Sequence, residues 1–247
     1  MVAPLPYCGT PPAPGELLSR FNFDPVLIGA LLALAVAHIS LACAPRSRGY
    51  AALGWLVAAA AFISPLCALS VALFSAGVAQ HMILLLVAAP LIASALPAAA
   101  TNCSTRWLWP AATVFLLALW FWHMPAPYDA TFRSTPIYWL MHITLFGSAI
   151  LLWRELLHHP PDRSLEVLLA GLLTSIHMSL LGAVLTFAST PLYSQHLLAT
   201  GPWGLTPLHD QQLGGVILWA PGMLLFVWVA TRAIRRLWRE LETSRAR

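Results

Sequence analysis

The stretch Leu205-Thr-Pro-Leu-His-Asp-Gln-Gln-Leu-Gly-Gly215 runs directly into an apolar segment, 213–232, long enough to cross a bilayer. Thr206 followed by Pro207 predicts a helix N-cap and a first helical residue, because the missing proline N–H costs nothing there. Asp210 then falls in the first turn, where the helix dipole favours a carboxylate. Those two rules leave His209, Gln211 and Gln212 without a local reason to stand at the mouth of a membrane helix.

The composition makes the membrane reading general. Of 247 residues, 59% are hydrophobic and 9% charged, about a third of the charged share of a soluble domain. Seven apolar runs of spanning length follow one another: 26–44, 50–74, 76–96, 107–124, 137–153, 165–187 and 213–232. The fold class expected is therefore all-α, a polytopic membrane protein of seven transmembrane helices. A short extracytoplasmic lead (1–25) precedes the membrane domain (26–232), and a basic cytoplasmic tail (233–247) continues the last helix along the inner leaflet. Pro65, Pro90 and the Pro221-Gly222 pair mark expected kinks.

Charge sets the orientation. The chain has no lysine, and its thirteen basic residues are arginines. With the N-terminus outside, eleven of them (Arg46, Arg48, Arg106, Arg154, Arg163 and six from Arg232 to Arg247) lie on the cytoplasmic side. Arg20 and Arg133 remain outside, a positive-inside bias that fixes N-out and C-in. Arginines spread over membrane loops in this way imply a lipid bilayer as partner and no nucleic acid. The four cysteines (Cys8, Cys43, Cys67 and Cys103) show no metal-type spacing, and Cys43 and Cys67 read as small hydrophobes in apolar runs.

Topology turns the histidines into a map. His81, His123 and His142 fall near the outer ends of three different helices, and His209 stands at the outer mouth of a fourth. Asp129, in an outer loop, and Asp210 are at the same level, while His177 lies deeper. Four of the methionines adjoin a histidine: Met82, Met124, Met141 and Met178. Ionisable groups at membrane depth face the bundle interior, so these side chains are expected to converge on one outward-facing site. Imidazole with thioether sulfur favours Cu(I). The candidate metal residues are therefore His81, His123, His142, His209, His177, Asp129, Asp210, Met82 and Met124, with copper as the ion. Neighbours on a helix point about 100° apart, so one member of each His–Met pair is expected to pack and not to ligate. Gly171, Ser175, Met178 and Gly182 share one helix face suited to close helix approach.

The residues also resemble a known family. Gln80-His81-Met82, Trp120-Phe121-Trp122-His123-Met124-Pro125 with Tyr128-Asp129, Leu185-Thr186-Phe187 with Pro191-Leu192-Tyr193, and above all Asp210-Gln211-Gln212-Leu213-Gly214-Gly215 are similar to the CtaG-type cytochrome c oxidase assembly factors of bacterial membranes. The resemblance covers roughly residues 65–232. It implies a seven-helix, multi-pass protein of the bacterial inner membrane that serves a haem–copper oxidase. Its partners would be cytochrome c oxidase subunits and periplasmic copper chaperones. The family's polar positions fall on Gln80, His81, His123, Asp129, His142, Asp210 and Gln211. The chain departs at Gly77-Val78, where members often have His-Met, at Met141, often acidic, and at His209, often Glu. No catalytic motif such as HExxH is present, so the expectation is not an enzyme. A copper or proton transporter and a haem-binding membrane protein are the alternatives.

Overall fold

The computed structural model describes residues 5–42, 44–96, 107–159 and 163–245. Cys43, Cys103, Arg106 and Arg247 lie outside the described residues. Among those described, every regular element is helical: α1 (Pro25–Leu41), α2 (Pro45–Ile63), α3 (Leu66–Ala72), α4 (Phe74–Ile83), α5 (Ala89–Ala95), α6 (Leu108–Trp122), α7 (Pro125–Arg133), α8 (Thr135–Leu157), α9 (Ser164–Thr186) and α10 (Pro207–Arg245). The seven expected runs map onto these helices in order. Three helices, 74–95, α8 and α9, are long and apolar enough to cross a membrane. Counting the bent pairs α2–α3 and α6–α7 as one span each raises the number among the described residues to five. Their outward faces carry exposed Leu117, Phe121, Ile143, Leu151, Leu172 and Ile176, which suits hydrocarbon and not water.

One run bends at its expected kink and another ends earlier than expected. The run 50–74 bends by 46° between α2 and α3, where Pro65 interrupts the ladder at Ser64. The run 107–124 ends at Trp122 and turns through 76° into α7, so Asp129 stands on a helix and not in a loop. α10, by contrast, passes through Pro221 as one helix and carries the arginine-rich tail with it.

The helix at the centre is α4–α5, which packs on α2, α8 and α10. A π turn, Leu84–Ala88, joins its halves directly ahead of Pro90. Within that turn the Ala89 N–H reaches back to the Leu84 carbonyl. The next bond in the series would run from residue 90 to Leu85, and proline has no N–H to give. The indole of Trp153 on α8 supplies it instead, donating to the Leu85 carbonyl at 2.7 Å. The freed carbonyl is thus satisfied by a neighbouring helix, as hydrocarbon surroundings require.

α9 and α10 form the closest pair. A Cβ on Gly182 would lie 2.8 Å from the Gly215 carbonyl, and one on Gly215 2.7 Å from that of Gly182. Only glycine at both positions lets the two backbones approach so closely.

Candidate functional site

His81 on α4, His123 at the end of α6 and His142 on α8 come together in the interior. The His81 ring centroid is 5.2 Å from that of His142 and 5.9 Å from that of His123. All three are buried. His142 directs its Nδ1 at the Tyr138 carbonyl (3.0 Å), and His123 does the same to the Leu119 carbonyl (2.7 Å). A carbonyl only accepts, so Nδ1 carries the proton in both rings and Nε2 keeps its lone pair. That is the tautomer of a histidine held ready as a metal ligand by an orienting backbone oxygen.

Nε2 of His142 and Nδ1 of His81 are buried without a hydrogen-bond partner. Leaving a buried polar atom unpaired costs about 1–3 kcal/mol, and the cost falls on two rings that face a common space. His81 and His142 line one cavity of about 30 Å³ together with Cys8, Gln80, Tyr138 and Met141, room for a water or an ion. Two imidazoles sharing one ion, with metal–nitrogen distances near 2.0 Å, have ring centroids roughly 5–6 Å apart. The His81–His142 and His81–His123 pairs both fall at that spacing. Among the described residues no group of three or more His, Cys, Asp or Glu is placed to hold a metal ion; His81 and His142 offer two nitrogen donors, with Met141 beside them.

The other candidates stand elsewhere. Met82 is buried in the main apolar core, and Met124 is half exposed. Met141, which is not among the expected ligands, lines the cavity beside its neighbour His142. Asp129 pairs with Arg133 one turn along α7. His177 packs its ring against Trp120 in a groove between α6 and α9. His209 is exposed, its backbone N–H donating to the Thr206 hydroxyl, so Thr206 is the N-cap the sequence predicts.

Asp210 has a different employment from the one expected. Its fully buried carboxylate accepts from the N–H groups of Phe74 (2.7 Å) and Ser75 (3.1 Å) and from the Ser75 hydroxyl. It caps α4 from across the bundle, supplying the acceptor that Leu73 at the N-cap lacks. Gln211 accepts from the Leu192 N–H (2.6 Å) and donates to the Leu185 carbonyl (3.4 Å). Gln212 donates to the carbonyl of Ala188 (3.3 Å). The stretch Leu205–Gly215 is therefore a brace joining α10 to α4, to α9 and to the connection between α9 and α10.

That connection carries a second polar network. His196 donates Nδ1–H to the Ala72 carbonyl (3.2 Å) and accepts from the Tyr128 hydroxyl (2.8 Å). Burial lowers the affinity of the His196 ring for a second proton, against the pull of the Asp210 carboxylate. The neutral ring is what the Tyr128 bond needs. The Tyr193 hydroxyl donates to the His123 carbonyl (2.7 Å), which ties this network to the triad.

The cover of the cavity comes from a part of the chain that residue patterns leave unmarked. Cys8 in the lead is disulfide-bonded to Cys67 on α3, with Cα atoms 5.5 Å apart. The reading of Cys67 as a small hydrophobe is thereby corrected. The bond closes a long loop, a constraint of about 3–4 kcal/mol on the unfolded chain. Tyr7 adds to it, stacking on Tyr138 at 4.9 Å and donating to the Asp24 carboxylate at 2.7 Å. Burial first, and then the Asp24 hydrogen bond, push the Tyr7 phenol up to about 12, so it remains a donor.

No curated relative and no solved structure matches the chain. A family model described as the cytochrome c oxidase caa3 assembly factor matches residues 30–240, from α1 into the tail. That span takes in the triad, Tyr138, Met141 and the whole brace, so the chain belongs to the caa3-type cytochrome c oxidase assembly factor family.

Proposed function

We propose that the protein assists cytochrome c oxidase assembly by holding copper, as cargo, in the cavity between α4 and α8. The observation that supports this best is the pair of buried, unpartnered imidazole nitrogens on His81 and His142, lining one cavity with Met141. Nitrogen and thioether donors together favour Cu(I). Two imidazoles and a thioether are fewer donors than the four of a structural metal site, which suits an ion held as cargo. His123 completes the triad, and Gln80, donating to the Ala61 carbonyl at 2.8 Å, fixes the turn of α4 that presents His81.

In this reading seven helices cross the bacterial inner membrane with the N-terminus outside, and the cavity opens toward the extracytoplasmic side. Copper arrives from a periplasmic carrier and passes to an oxidase subunit in the same membrane.

The test is copper content after loading with Cu(I) under anaerobic conditions. Wild type should retain copper, and His81→Ala and His142→Ala should each lose most of it. Equal copper in all three would overturn the site. A deletion strain should contain oxidase deficient in copper; a full complement there would overturn the delivery role.

A further inference from the structure

We infer that Cys8 and Cys67, when reduced, form a dithiol arm of the histidine cavity that binds Cu(I) together with His81 or His142, so that the thiol redox state governs metal loading. The inference rests on reading that cavity as a copper site. Cys8 lines the same cavity as His81 and His142. Its Sγ lies 3.5 Å from the Tyr138 hydroxyl, and the Cys67 Sγ lies 3.9 Å from the same oxygen. The Tyr138 ring in turn packs on His142 with centroids 4.3 Å apart. The sulfur pair and the imidazoles therefore meet across one tyrosine side chain.

In the disulfide form the sulfurs have no lone thiolate charge to offer a metal, and the lead is tied over the cavity. A thiol reductant changes both. Its first thiolate attacks one sulfur of the Cys8–Cys67 bond, its second sulfur resolves the mixed disulfide, and two electrons pass to the protein. Two protons end on Cys8 and Cys67, and the reductant leaves as its own disulfide. Binding Cu(I) then displaces the thiol protons, because the thiolate is the ligand. The lead, freed of its covalent tie, can bring Cys8 toward His81 and His142, whose unpartnered nitrogens complete a soft, mixed donor set. Re-oxidation by a disulfide oxidant withdraws two electrons, re-forms the Cys8–Cys67 bond and removes both sulfur ligands. Release is thereby coupled to closure of the cover.

The experiment uses the full chain in detergent, once as the disulfide and once reduced with a phosphine that is then removed. Each form is titrated anaerobically with Cu(I) against a chromogenic chelator. The reduced form should bind at least about tenfold more tightly, show sulfur in its copper X-ray absorption spectrum, and protect Cys8 and Cys67 from alkylation. Cys8→Ser should bind as the oxidised wild type does under both conditions, and the wild-type comparison decides the matter should that variant not fold. Equal affinity in the two forms with nitrogen-only ligation would overturn the dithiol arm and leave the histidine site standing. Absence of copper from both forms would overturn the histidine site and this inference with it.

Discussion

At the scale of single residues, function and stability pull in opposite directions at His142. Its Nε2 is buried and unpaired, while its ring packs against Tyr138 and Phe62 as an aromatic core residue would. Replacing it with phenylalanine keeps the ring and removes the unsatisfied nitrogen. His142→Phe is therefore expected to leave thermal stability in detergent within about 1 kcal/mol of wild type, or slightly raised, while abolishing copper retention and oxidase assembly. A large loss of stability would mean that His142 is structural. Asp210 is the reverse case. Its carboxylate accepts three hydrogen bonds at the start of α4, and an amide turns one acceptor into a donor facing donors. Asp210→Asn should cost about 2–3 kcal/mol, read as a lowered melting temperature. Any copper the folded fraction holds should be bound as tightly as in wild type. Weaker copper binding by a fully stable Asp210→Asn would instead return this carboxylate to the ligand set.

At the scale of elements, the legible parts of the sequence were those where one rule dominates. Apolar run length placed the helices, Thr206-Pro207 placed the start of α10, and Pro65 placed the bend between α2 and α3. Small residues on the run 165–187 pointed to a close helix pair, although which helix pairs with it is a tertiary fact. It is α10, through Gly182 and Gly215. Gly215→Ala would drive a methyl group against the Gly182 carbonyl and the Thr186 backbone, and backbone cannot swing aside as a side chain can. The expected cost is about 1–3 kcal/mol, with looser α9–α10 packing seen as faster proteolysis of the connection between them. A variant as stable and as resistant as wild type would show that the two helices can separate without penalty.

The site was legible in part for the same reason. His81, His123 and His142 come together, as helix length and the expected topology predict. Depth alone cannot tell which way a side chain turns, so His177 and His209, plausible by depth, fall on other surfaces. The Cys8–Cys67 bond was hidden because no local spacing links residues 59 apart, and a buried cysteine in an apolar run looks like any other small apolar residue.

At the scale of the whole molecule, the disulfide and the arginines bear on one question from opposite ends. Disulfides persist in oxidising compartments, so a Cys8–Cys67 bond suits the outer side of the membrane in the proposed topology. In the proposed topology the positive-inside bias sets the arginine-rich end of α10 on the opposite side. Together they support the proposed topology, with the lead, the cavity cover and α3 facing outward and the tail facing the cytoplasm. That topology needs an odd number of crossings. The five spans given by length and composition reach the proposed seven when α1 and α10 also cross. In intact spheroplasts of cells lacking the other reactive thiols, a cysteine at the exposed Ser19 should react with a membrane-impermeant maleimide. One at the exposed Glu242 should react only after lysis. Labelling of both positions from outside would break the seven-crossing arrangement. It would also leave the proposed copper cavity without a defined side from which to be filled.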